Sequence, residues 1–225
     1  MKILIIVTST GTFANGKLAT GLWLSEFTHI YHSAKESGYD ITVANPKGGY
    51  TPIDPESLKP IFLDEMSEKY WEKPEFKKLL DHANSLEQQF DCVYLAGGHG
   101  AMYDFPGNEA LKTIVRKQDE SGRIVSAICH GVSGLLNAKL SNGEYMIKGK
   151  KLTGFSWFEE SLARRKEDVP FDLEALLKER GADYEKALIP MTSKVVVDNN
   201  LITGQDPFSS KEMAKVVMRQ LNKAR

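Results

Sequence analysis

In the stretch Ser126 to Gly131, "SAICHG", an apolar run ends in a cysteine set beside a histidine, with small residues on both sides. Two readings fit this pattern. A free cysteine closing a core strand is commonly just buried. The same spacing, small-x-nucleophile-x-small with Ala127 and Gly131 as the small residues, is also what a nucleophile elbow needs. Its strained strand-to-helix turn brings backbone close and leaves no room for bulk. A cysteine there lies at a helix N-terminus, whose partial positive charge favours thiolate and lowers the thiol pKa. The motif alone does not choose between the readings for Cys129. Cys92 opens an apolar run with no polar company and reads as structural.

The five histidines, His29, His32, His82, His99 and His130, narrow the enzyme classes. A papain-like protease or an amidotransferase-type glutaminase needs a base histidine well downstream of its cysteine, and none follows His130. His29 and His32 share a helix face near Glu26. That pair is either a metal site or, as is commoner on an amphipathic helix, a partly solvated face. His82 is expected on an exposed helix with no role. Gly97, Gly98 and Gly100 in "AGGHG" let backbone N–H groups approach a ligand, although a glycine pair ending a strand is more often plain turn chemistry. No GxGxxG dinucleotide fingerprint is present, since the first strand is followed by "TSTGTFANGKLATG".

These residues need a scaffold, and strands alternating with helices supply one. "KILIIVTS", "DITVANP", "DCVYLAGG" and "RIVSAIC" read as buried strands, with helices over "GLWLSEFTHIYHSAKESG", ended by Gly38, and "NEALKTIVRKQDESG". That alternation implies βαβ units and a mostly parallel sheet covered on both faces. Ligands in such sheets bind beyond the carboxyl ends of the strands, where "AGGHG" and "CHG" both fall. Further on, "YMIKGKKLTGF" predicts a hairpin, Phe155 to Arg180 helices with a loop, and "KVVVDNNLITG" two short strands. The last helix opens near Ser209 with a capping-box spacing from Ser209 to Glu212.

At 225 residues, with 41% apolar and 26% charged residues, the chain fits one α/β domain spanning 1–225, with a small inserted hairpin and helical region around 140–190. A formal charge of −1 without a basic stripe removes the electrostatic footprint of a nucleic-acid binder. The apolar start "ILIIV" is too short to span a membrane and lacks a signal-peptide cleavage site. Two cysteines without a CxxC pair suit a reducing compartment, so a cytoplasmic protein is expected.

Five ordered blocks carry a resemblance: "NPKGG" with "DPESL", "AGGHGAMYDF", "AICHG", "LTGFSWFEE" and "TGQDPFSS". Together they resemble the ThiJ/PfpI superfamily, and within it the branch of heat-inducible, chaperone-like, glutathione-independent glyoxalases (glyoxalase III). The resemblance implies a flavodoxin-like three-layer sandwich of the class I glutamine amidotransferase type, usually dimeric. It makes Cys129 the nucleophile and His130 its base. Glu26 becomes the acid beside the sulfur, and Glu160, in preference to the adjacent Glu159, orients the histidine. Backbone N–H groups of Gly98 and His130 would form the oxyanion hole.

The activity implied is conversion of small 2-oxoaldehydes such as methylglyoxal to 2-hydroxy acids without glutathione, nicotinamide or metal. Alternatives within the superfamily are a stress-response holdase, a protein deglycase or a thiol redox sensor. Three residues depart from the branch. Tyr103 stands where tryptophan is common, Asp206 where an amide is, and Phe208 where a small residue is. Phe208 is therefore expected to narrow the pocket. The additional domain of larger chaperones in this branch has no counterpart.

Overall fold

The computed structural model describes residues 1–81, 83–84 and 90–223; the expectation for His82 lies outside them. In chain order the elements are β1 (Lys2–Ile6), α1 (Leu24–Glu36), β2 (Asp40–Ala44), α2 (Glu65–Trp71), α3 (Pro74–Asp81), β3 (Cys92–Leu95), α4 (Ala101–Asp104), α5 (Glu109–Glu120) and β4 (Ile124–Ile128). There follow β5 (Lys151–Leu152), α6 (Trp157–Leu162), α7 (Leu173–Glu179), β6 (Asp183–Tyr184), β7 (Val195–Asp198), β8 (Leu201–Gly204) and α8 (Ser210–Lys223).

Six strands form one sheet in the order β2-β1-β3-β4-β8-β7, parallel except for the antiparallel edge strand β7. Its five parallel strands follow the flavodoxin order. The strands are apolar on both faces because both faces are covered. Ile3 and Ile5 of β1 pack with Leu24, Phe27 and Ile30 of α1 and with Met213, Val217 and Leu221 of α8. Leu4 and Ile6 point the other way, into a second core with Leu111 and Val115 of α5. Each such fully buried side chain contributes about 1.5–3 kcal/mol of transfer free energy. No described helix is long and apolar enough to cross a membrane.

Two local expectations are corrected. Residues 145–155 do not form a hairpin: β5 pairs in parallel with β6, and Tyr145 makes a single antiparallel bridge to Lys139. The short strand thus finds its partner across α6 and α7 rather than across a local turn. Ser209 does not cap the last helix in a box with Glu212. Asp206 accepts from the Ser209 N–H at 3.1 Å and from the Ser209 hydroxyl at 3.0 Å, with Pro207 behind it in the first position of a 3₁₀ turn. Proline's missing N–H costs nothing at that position.

Candidate active site

β3 and β4 lie side by side, with Leu95 opposite Ala127, and both release their chains at the same edge of the sheet. After β4 the chain turns sharply: Ile128 is extended, and Cys129 has φ +55°, a left-handed conformation uncommon for a side chain of this kind. The elbow demands glycine at 131, where a Cβ would sit 2.4 Å from the Leu95 carbonyl oxygen. The turn folds His130 back on its neighbour. Sγ of Cys129 lies 3.3 Å from Nδ1 of His130, a contact that adjacent side chains on a regular strand cannot make.

His130 Nε2 donates to Glu160 Oε2 at 2.9 Å. Glu160 stands in the first turn of α6, whose N-terminus is closed by a capping box between Ser156 and Glu159. That box accounts for the neighbouring carboxylate. Glu159 accepts from the Ser156 N–H and hydroxyl on Oε2, and from Gln205 Nε2 and the Met191 N–H on Oε1. Consecutive helical residues point about 100° apart, so the carboxylate on His130 belongs to Glu160. Its other oxygen, Oε1, takes a hydrogen bond from Nε2 of His99 at 2.8 Å. The two imidazoles stack with centroids 4.1 Å apart, and Phe155 covers His130 at 4.5 Å.

Sequence reasoning did not assign His99 to this cluster. The available signal was its place in "GGHG", directly after a buried strand.

Glu26 enters from α1. The Trp23 N–H at the head of that helix donates to the Gly97 carbonyl, and the Gly97 N–H returns a 2.7 Å hydrogen bond to Glu26 Oε2. Oε1 is buried without a hydrogen-bond partner, and the Tyr94 hydroxyl donates to the Glu26 main-chain carbonyl at 2.9 Å.

Burial raises Glu26 well above the ordinary carboxyl value, so the group beneath the sulfur holds its proton. Burial also pushes the Cys129 thiol up, while the His130 backbone N–H opposes it. Burial of the sulfur thus works against the helix-end charge that was expected to make this thiol acidic. Burial, with His99 second, lowers His130 to about 4. The imidazole is therefore neutral at neutral pH. Burial would raise Glu160, but the two histidines outweigh it and hold the carboxyl well below its usual range.

A cavity of about 260 Å³ opens beside this group, lined by Cys129, His99 and His130 on one side and by Phe13, Trp23, Phe62 and Arg165 on others. Phe208 does not line it. Its ring turns outward against Phe62, and Pro207 faces the cavity instead, so the expected narrowing does not occur. His29 and His32 do not converge on a metal: His29 pairs with Asp64 at 2.8 Å and His32 with the Tyr70 hydroxyl at 3.0 Å. Among the described residues, the trio His99, His130 and Glu160 has ligand-type atoms within 4.8 Å of one another. These atoms already hydrogen-bond each other, and a cation would have to displace both bonds. Cys92 is fully buried in β3, and burial keeps its thiol protonated.

Residues 17–220 match the DJ-1/PfpI family. The chain belongs to that family. Within it, the chain is 28% identical to the glutathione-independent glyoxalase hsp3101 of Schizosaccharomyces pombe, over 97% of this chain and 95% of that protein. To glyoxalase 3 of Candida albicans it is 29% identical over 97% of each. Among solved structures, the rapid encystment protein of 24 kDa from Francisella tularensis superposes with a TM-score of 0.92 at 36% identity, covering 98% of both chains.

Proposed function

We propose that this DJ-1/PfpI protein is a glutathione-independent glyoxalase, a cysteine-dependent enzyme that converts 2-oxoaldehydes of the methylglyoxal type to 2-hydroxy acids. The observation that carries the reading is the line Cys129 Sγ, His130 Nδ1, His130 Nε2, Glu160 Oε2 at the wall of a cavity. The full-length similarity to proteins named glyoxalases supports it.

Neutral His130 takes the thiol proton on Nδ1, with Nε2–H held by ionised Glu160. The sulfur adds to the aldehyde carbon. The developing oxyanion, which the family resemblance assigns to the N–H groups of Gly98 and His130, is protonated to give a hemithioacetal. Protonated Glu26 spares the sulfur a second negative charge beneath it. The former aldehyde hydrogen moves as a proton to the neighbouring carbon through an enediol, which leaves a thioester. Water hydrolyses the thioester and releases the 2-hydroxy acid and the free thiol.

The test is purified protein given methylglyoxal without glutathione, with lactate measured against a Cys129→Ser control. Lactate from the wild type alone supports the reading, and equal lactate from both overturns it. A cytoplasmic homodimer is part of the same proposal, on the strength of the family resemblance, and light scattering of the purified chain tests the dimer.

A further inference from the structure

Isomerising the hemithioacetal moves two hydrogens, not one. One passes from the former aldehyde carbon, C1, to C2; the other passes from the oxygen on C1 to the oxygen on C2. His130, beside the sulfur, serves the carbons. The oxygens need a second group that faces the cavity and can both take and return a proton.

Glu26 does not line the cavity, and its Oε2 is bound to the Gly97 N–H. His99 does line it. Its Nε2–H is committed to Glu160 Oε1 at 2.8 Å, and Nδ1 makes no hydrogen bond with the described residues. In that tautomer Nδ1 carries the lone pair. The side chain is buried and held from two sides, by the His130 ring at 4.1 Å and by Phe13 at 5.2 Å. A group so placed is oriented before substrate arrives.

We propose that His99 is a second catalytic acid–base of this site, carrying the oxygen-bound proton of the intermediate while His130 carries the carbon-bound one. This rests on the glyoxalase reading above. His130 removes the proton from C1; that electron pair forms C1=C2, and the C2 carbonyl pair moves onto its oxygen. In one step the C1=C2 pair then accepts the proton from His130 at C2, the O–H pair of the C1 hydroxyl re-forms the C1 carbonyl, and His99 Nδ1 takes the released hydroxyl proton; His99 next returns that proton to the oxygen on C2. Both rings end as they began, and no oxidant, reductant or cofactor enters.

A single carboxylate between two stacked rings suits this alternation. Glu160 stabilises one imidazolium, and the second ring at 4.1 Å opposes a second positive charge. The excess proton is thus on one ring at a time, and His99 gains as His130 gives up.

The test compares His99→Gln with His99→Ala. Glutamine keeps an N–H donor for Glu160 but offers no base. If His99 acts on the oxygens, both variants lose kcat by about 100-fold or more. KM and iodoacetamide labelling of Cys129 change little, and the Cys129–substrate adduct, seen by mass spectrometry of the intact protein, accumulates. If His99 only positions Glu160, His99→Gln restores kcat to near wild type, and the proposal fails. If the wild-type protein makes no 2-hydroxy acid, the glyoxalase reading fails first. Near-ultraviolet circular dichroism establishes that the variants fold, and His99→Asn replaces either one that does not.

Discussion

The backbone N–H of Gly97 donates to Glu26 at 2.7 Å, and a Cβ on Gly97 would lie 2.5 Å from that same carboxylate oxygen and 2.7 Å from the Ile128 carbonyl oxygen. Helix α1 and the nucleophile's strand therefore meet through a glycine with no spare volume. Gly97→Ala should displace Glu26 or the elbow, lowering turnover at least tenfold and the melting temperature by several degrees, as overpacking of about 1–3 kcal/mol does. Gly107, exposed and with open space around it, supplies the control. Gly107→Ala should leave both measurements unchanged, and parity between the two variants would count against the close packing.

Glu160→Gln should lower kcat about 100-fold or more with little change in melting temperature, because it weakens the charged hydrogen bond that supports imidazolium at His130. Glu159→Gln should show the reverse balance. It turns an amide N–H towards groups that already donate, which costs about 1–3 kcal/mol of stability. Paired kinetics and thermal melts decide between the two carboxylates.

The acid limb of kcat/KM should fall near pH 4. Neutral His130 is the base, it is lowered to about 4 by burial, and it is lost as pH falls through that value. A limb at the ordinary histidine value of about 6.5 would mean that the imidazole is more solvated than its surroundings here allow. Circular dichroism at each pH separates titration from unfolding.

Infrared difference spectra between wild type and Glu26→Gln at neutral pH should contain the carbonyl band of a protonated carboxylic acid, since burial holds the proton on Glu26. In the same protein, the alkylation midpoint of Cys129 should lie above the free-thiol value of about 8.5, and Cys92 should react only on unfolding.

Asp206 is raised to about 7 and Asp104 to about 6, in both cases chiefly by burial. A carboxyl whose folded pKa exceeds its unfolded one stabilises the fold at low pH, and that contribution is lost as pH rises through the folded value. The melting temperature should therefore rise between pH 8 and pH 6. Asp206→Asn keeps an acceptor for Ser209 and should flatten the upper part of that rise.

The strands that carry the site were legible because each is a short apolar run closed by glycine or polar residues, and Cys129 with His130 stood out by adjacency. Glu160 could not be separated from Glu159 by position alone. The difference arises from helix α6, whose capping box with Ser156 consumes one carboxylate and turns the next towards the histidines. Only the family resemblance singled out Glu26; no local pattern did, because its burial depends on β3 and β4, which lie far along the chain. The pairing of β5 with β6 was misread as a hairpin for the same reason: two-residue strands carry almost no local pattern. For the acidity of Cys129, a helix-end argument counts charge but not the depth at which the sulfur is buried, and the two act in opposite directions.

Strand β4, which delivers Cys129, hydrogen-bonds β3 on one side and β8 on the other, with Ile128 opposite Gly204. During synthesis β3 is already present when β4 leaves the ribosome, but Leu201 is not. At about 5–20 residues per second, the unfinished sheet waits roughly 4–15 seconds with one edge of β4 open, and α8 has yet to cover the face on which Cys129 packs. In that interval the sulfur lacks part of the cover that leaves it 1% exposed in the finished fold. Slow translation of the last third of the chain therefore lengthens the time for which Cys129 lacks the cover of β8 and α8.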